Sequence, residues 1–127
     1  MAGAQNNDWN RWNLKSQVKA IKEISYAVQR DQLIPDTVEY YYINEFNLYG
    51  NKIVDQEYLP DGAMVKSYQY AYDDLNRRIQ VVQFDGDGHL LLTIHYRYDL
   101  LGRLVEDSST DAQGNPSKRI VFTYDDQ

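Results

Sequence analysis

From Leu90 to Tyr98 the even positions, Leu90, Leu92, Ile94, Tyr96 and Tyr98, are all apolar or aromatic, while Thr93, His95 and Arg97 hold odd positions. A period of two puts the first set on one face of a β-strand and the second on the other, and no helical period fits. The same face is carried by Met64, Tyr68, Tyr70 and Tyr72 in an earlier segment and by Ile120, Phe122 and Tyr124 in a later one. Between them lie more mixed segments at 52–59, 78–85 and 104–110, in which Ile53, Ile79 and Val105 match while Asp55 and Asp107 stand where the middle copy has Val81. These read as returning strands with one face toward a core and the other toward water. Residues 18–28 read as an opening strand, 30–37 with Pro35 as a longer turn, and 38–46, with Val38, Tyr40, Tyr42 and Phe46 on one side, as the strand that enters the array. The pattern predicts an all-β, up-and-down antiparallel meander of about eight strands, twisted or partly curled.

The alternation sits inside a repeat. Phe46-Asn47-Leu48-Tyr49-Gly50-Asn51-Lys52-Ile53 aligns with Tyr72-Asp73-Asp74-Leu75-Asn76-Arg77-Arg78-Ile79 and Tyr98-Asp99-Leu100-Leu101-Gly102-Arg103-Leu104-Val105 at an interval of 26 residues, and Tyr124-Asp125 opens a fourth copy. A second marker keeps the same interval at Pro60-Asp61-Gly62, Gly86-Asp87-Gly88 and Ala112-Gln113-Gly114. Gly62, Gly88 and Gly114, and separately Gly50, Asn76 and Gly102, occupy the positions where a tight turn needs positive φ. Units of about 46–71, 72–97 and 98–123 therefore stack, each burying surface that its neighbour needs. Residues 15–127 form one repeat domain on this reading. Residues 1–14 are a polar leader followed by a short cover segment in which Trp9 and Trp12 shield an edge or an open end of the sheet.

Length and composition narrow the partners. A chain of 127 residues suits one domain. The 12 tyrosines fit a half-buried pleated surface better than a greasy helical core. A formal charge of −6 argues against nucleic acid or an anionic membrane as partner, and no apolar run approaches a membrane span. With no cysteine, disulfides, thiolate metal sites and cysteine nucleophiles are excluded.

Tyr96-Arg97-Tyr98-Asp99-Leu100-Leu101-Gly102-Arg103-Leu104 resembles the YD motif of the Rhs and teneurin-type repeat proteins. The copy at 70–79 departs from it by placing Asn76 where the family has glycine, and the copy at 44–53 lacks both the Tyr-Asp pair and the arginine. The likeness covers roughly 38–127. The segment Leu14 to Tyr26 followed by such repeats is similar to the opening of small Bacteroidetes exported or lipid-anchored proteins of unassigned role. The resemblance implies export to the periplasm or cell surface, the signal lying outside this chain, with a cytoplasmic protein as the alternative. In large members the repeats build a shell around another domain, which three copies are too few to do.

Candidate chemistry is sparse. His89 in a turn and His95 on a strand make a poor metal pair, the serines lie in no nucleophile-elbow context, and Asp85-Gly86-Asp87-Gly88 has the start of a calcium loop without its later ligands. No cofactor and no metal site is expected. A carboxylate pair such as Asp55 with Glu57, two residues apart on one strand face, is the candidate for acid–base work. The tyrosine row, Tyr42, Tyr68, Tyr70, Tyr72, Tyr96 and onward, is read first as a cross-strand ladder that packs the sheet. Tyr42, Tyr68, Tyr70 and Tyr96, with Trp9 and Trp12, are the candidate ligand contacts. The expectation is a non-catalytic structural or binding module acting through protein contact, with carbohydrate recognition by the tyrosine face and a small carboxylate hydrolase as alternatives. A weak homodimer through an edge strand is expected, since outermost strands near 18–28 and 117–124 leave backbone groups unpaired beside Lys19, Lys22, Lys118 and Arg119.

Overall fold

The computed structural model of the chain describes residues 18–27 and 37–125. The cover segment with Trp9 and Trp12, and the longer turn apart from Thr37, lie outside them. Eight strands follow in sequence order: β1 (Ala20–Ala27), β2 (Thr37–Phe46), β3 (Lys52–Tyr58), β4 (Met64–Tyr72), β5 (Arg78–Asp85), β6 (Leu90–Tyr98), β7 (Leu104–Asp111) and β8 (Pro116–Val121). They make one sheet in the order β1-β2-β3-β4-β5-β6-β7-β8, so the sheet does not close and β1 and β8 end it. The expected meander is the observed fold. β1 begins at Ala20 rather than at 18, and β8 stops at Val121 rather than at 124. Because β7 begins at Leu104, the chain has one further backbone bond to it, from Phe122 N–H to the Val105 carbonyl at 3.0 Å, and then runs past the ladder.

One turn is used throughout. The windows 47–51, 59–63, 73–77, 85–89, 99–103 and 111–115 each donate the first N–H to the fifth carbonyl and the fourth N–H to the first carbonyl, at 2.8–3.1 Å. The fourth residue takes positive φ in all of them: Gly50, Gly62, Gly88, Gly102 and Gly114 near 80–92°, and Asn76 at 61°. This is a tight turn closed by a left-handed residue, and the register slips by one beside it, as between Glu45 and Phe46 and between Arg97 and Tyr98. The two markers of the 26-residue unit are thus the same turn at opposite ends of the strands. Asn76 is the one non-glycine there, and asparagine bears a left-handed conformation at about 1 kcal/mol. Asn76→Gly is therefore expected to leave thermal stability unchanged or raise it slightly; a clear drop in melting temperature would contradict the shared turn.

The chain forms two compact units, one ending at Ser67 and one beginning at Tyr68. In the first, pairing puts Glu23, Ser25, Tyr40, Tyr42, Asn44, Asp55 and Glu57 on one face and Lys22, Ile24, Tyr41, Ile43, Val54, Gln56 and Tyr58 on the other. In the second, Val81, Gln83, Leu92, Ile94, Tyr96, Asp107, Ser109 and Ile120 share a face opposite Gln80, Val82, Thr93, His95, Arg97, Glu106, Ser108 and Arg119. The alternation predicted from sequence is present, but the expected core is not. Among the described residues the only buried apolar side chains are Phe46 and Val81, at 5% and 6% exposure, and no large side chain is fully sealed. Leu92, Ile94 and Tyr96 are only half-buried.

Candidate functional site

The repeated Asp, Arg and Tyr close on one another. In the turn at 99–103 the Asp99 carboxylate accepts the N–H groups of Leu101 and Arg103, both at 2.9 Å, and the Arg103 Nε–H at 2.8 Å. At 73–77 Asp73 does the same for Leu75, Arg77 and the Arg77 Nε–H, at 2.9, 2.9 and 2.8 Å. Each arginine, fixed by its aspartate, lies over the aromatic ring that opens the next repeat: Arg77 stands 4.7 Å from the centre of the Tyr98 ring and Arg103 4.6 Å from that of Tyr124. The hydroxyls complete the contact. Tyr98 donates to the Arg78 carbonyl at 2.7 Å, and Tyr124 donates to the Leu104 carbonyl. Burial raises the Tyr98 phenol, with the nearby Arg77 opposing it. A Tyr-Asp-x-x-(Gly/Asn)-Arg sequence is thus a clamp between successive repeats, in which aspartate orients arginine and arginine covers tyrosine.

The other turns use the first part of this device. Asn47, Asp85 and Asp111 each accept the N–H groups two and four residues on. At 59–63 the first residue is Leu59, and Asp61 accepts only Ala63 N–H, at 2.8 Å. The group Asp85, Asp87 and His89, whose ligand atoms lie within 4.8 Å of one another, belongs to such a turn: Asp85 accepts two backbone N–H groups and meets His89 Nδ1 at 3.3 Å. Turn formation accounts for its geometry, and both histidines are exposed.

These bonds depress the carboxyls. Asp99 and Asp85 are held below the ordinary carboxylate range chiefly by the backbone N–H groups of Arg103 and His89. At Asp73 burial pushes upward but is outweighed by the Arg77 backbone and guanidinium. Glu106 is lowered by Arg97 at 2.9 Å and Arg119 at 3.2 Å. A depressed folded-state value stabilises the fold above the unfolded value, near pH 4, and that contribution is lost as pH falls through the lower folded value. Stability is therefore expected to hold at neutral pH and fall from about pH 4 downward. Asn47 forms the same turn with an uncharged amide, so Asp99→Asn should fold at neutral pH and show a shallower acid limb in pH-dependent thermal melts. An acid limb as steep as that of the parent would contradict this origin.

The predicted tyrosines fall in different places. Tyr68 and Tyr70, both half-buried, stack with ring centres 6.4 Å apart, and Arg78 lies 4.4 Å from the Tyr70 centre. Tyr96 edges a shallow depression with His95, Arg97 and Glu106. Tyr42, in the first unit, donates to Glu57 Oε1 at 3.4 Å, and its phenol is raised by burial and by Glu57 and Glu23. On the opposite face of that unit lies a pair without a place in the predicted row: Tyr41 stacked on Tyr58 at 5.3 Å, with Lys22 Nζ 4.7 Å over Tyr41. Of the carboxylate pair, Asp55 meets Lys52 at 3.7 Å and Glu57 meets Lys66 at 3.5 Å. Among the described residues no helix is long and apolar enough to cross a membrane. No protein-family model matches the chain, and no curated protein matches it significantly.

Proposed function

We propose that the chain is a non-catalytic YD-type repeat module of an exported or cell-envelope protein, acting through protein–protein contact. The observation that carries this reading is the clamp. Asp73, Arg77 and Tyr98, and again Asp99, Arg103 and Tyr124, engage one another, so the residues that recur and could do chemistry serve to join repeats. Asp55 and Glu57, the remaining acid–base candidates, each face a lysine. Contact with a partner is supported by Leu75, Leu100 and Leu101, at 70%, 106% and 77% exposure, which project from the two turns at one end of the second unit. The turns at its other end carry Gly86-Asp87 and Ala112-Gln113 instead. Pairing of two copies through β1 or β8 is the further route to a weak homodimer. Turnover assays on chromogenic glycosides, esters and phosphoesters test the reading. No turnover is expected, and an activity abolished by Asp55→Asn or Glu57→Gln would replace the module with a hydrolase.

A further inference from the structure

On the first unit, Glu23, Ser25, Tyr42, Asn44, Lys52 and Asp55 line a shallow depression across β1, β2 and β3. Register sets them in two rows: Glu23 opposite Tyr42, and Asn44 opposite Asp55. The charges there do not balance. Lys52 pairs with Asp55 and Lys66 with Glu57 beside Tyr42, whereas Glu23 forms no ion pair among the described residues. Asn44 supplies a second and independent mark. It is 4% exposed, yet its Oδ1 has no hydrogen-bond partner. A buried carbonyl without a donor is costly and rare in a finished structure, and Asn44 lines the depression.

We propose that this depression receives a primary ammonium group, with Glu23 as counterion, Asn44 Oδ1 as neutral acceptor and the Tyr42 ring as the surface beneath it. An ammonium has three donors and no acceptor, which matches a free carboxylate and an unpaired carbonyl side by side. Tyrosine rings attract such a cation through their faces, and the chain already makes that contact on the opposite face, where Lys22 sits over Tyr41. A bound cation also agrees with the formal charge of −6 and with the two carboxylates that raise the Tyr42 phenol. A hydroxyl-bearing sugar matches less well, because it leaves the Glu23 charge uncompensated. The inference rests on the protein-contact reading, in which the ammonium is a lysine side chain of the partner; a free polyamine is the other source of the same chemistry.

Amide-resolved NMR titration of the full chain tests it, with n-butylammonium chloride as the minimal probe. Shifts are expected at Glu23, Ser25, Tyr42, Asn44 and Asp55, weakening as ionic strength rises. Glu23→Gln, at an exposed position that does not threaten folding, should weaken binding about tenfold or more, the loss of one charge-assisted hydrogen bond. A lysine-containing peptide binding more tightly than putrescine identifies the partner as protein, and the reverse order identifies a polyamine; either supports the site. The site is refuted if n-butylammonium shifts none of these residues, if Glu23→Gln binds as well as the parent, or if methyl glucoside or the peptide with acetylated lysine gives the same shifts. Such a failure leaves the turnover assays untouched, so loss of the site and loss of the non-catalytic reading are separate results.

Discussion

Phe46→Ala is expected to destabilise the protein by about 3–5 kcal/mol, the range for a buried aromatic truncated in a packed site. Phe46 is the larger of the two buried apolar side chains among the described residues and sits at the β2 bulge, where its N–H bonds the Lys19 carbonyl at 2.8 Å. With so little sealed apolar surface among the described residues, one ring is a large share of the total stability, which for a domain is only about 5–15 kcal/mol. Chemical denaturation should show the shift, with Leu48→Ala as the internal comparison. Leu48 is 79% exposed two residues away, and its truncation should stay within about 0.5 kcal/mol. Similar losses for the two variants would mean that Phe46 is not the anchor its burial indicates.

Tyr98→Ala should cost about 2–4 kcal/mol, less than a fully sealed ring because Tyr98 is half-buried, and Tyr98→Phe about 1 kcal/mol for the hydroxyl bond to Arg78. A double-mutant cycle between Arg77 and Tyr98 should return a coupling of about 0.5–1 kcal/mol, the worth of a partly exposed cation–π contact. Additive losses would show that arginine and tyrosine stabilise the sheet independently. The clamp would then be only a proximity.

The strands were legible because alternation and positive-φ turn residues are local signals. The segment 90–98 shows its two faces in the sequence alone, and Gly62, Gly88 and Gly114 mark the turns without reference to anything distant. That both markers form one turn type was hidden by side chains: Asp99 and Asp111 take the same position in windows whose other residues differ. The clamp was hidden for another reason. Tyr98 and Arg77 are 21 positions apart, and only the strand order brings them together. Burial is not legible in the same way, because alternation reports two unlike faces, not that a second layer covers one of them. Leu92, Ile94 and Tyr96 alternate as core residues do, yet they are only half-buried. In the first unit, Glu23 and Asn44 carry no motif at all. Their meaning appears only when β1, β2 and β3 set a free carboxylate beside a carbonyl without a donor.

From Tyr72 onward each 26-residue unit is a structural step whose aspartate and arginine clamp the tyrosine that opens the next, at Asp73-Arg77-Tyr98 and Asp99-Arg103-Tyr124. Duplicating residues 72–97 in tandem tests this most directly, because Arg77 of the first copy then meets Tyr72 of the second at the offset that Arg77 now keeps to Tyr98, while Arg77 of the second copy keeps Tyr98. Repeat arrays gain stability roughly as the sum of unit and interface contributions. The lengthened chain should therefore fold cooperatively, show additional strand amides in its NMR spectrum, and melt at a higher temperature than the parent. A lengthened chain that melts lower, or whose inserted residues remain unstructured, would contradict the account.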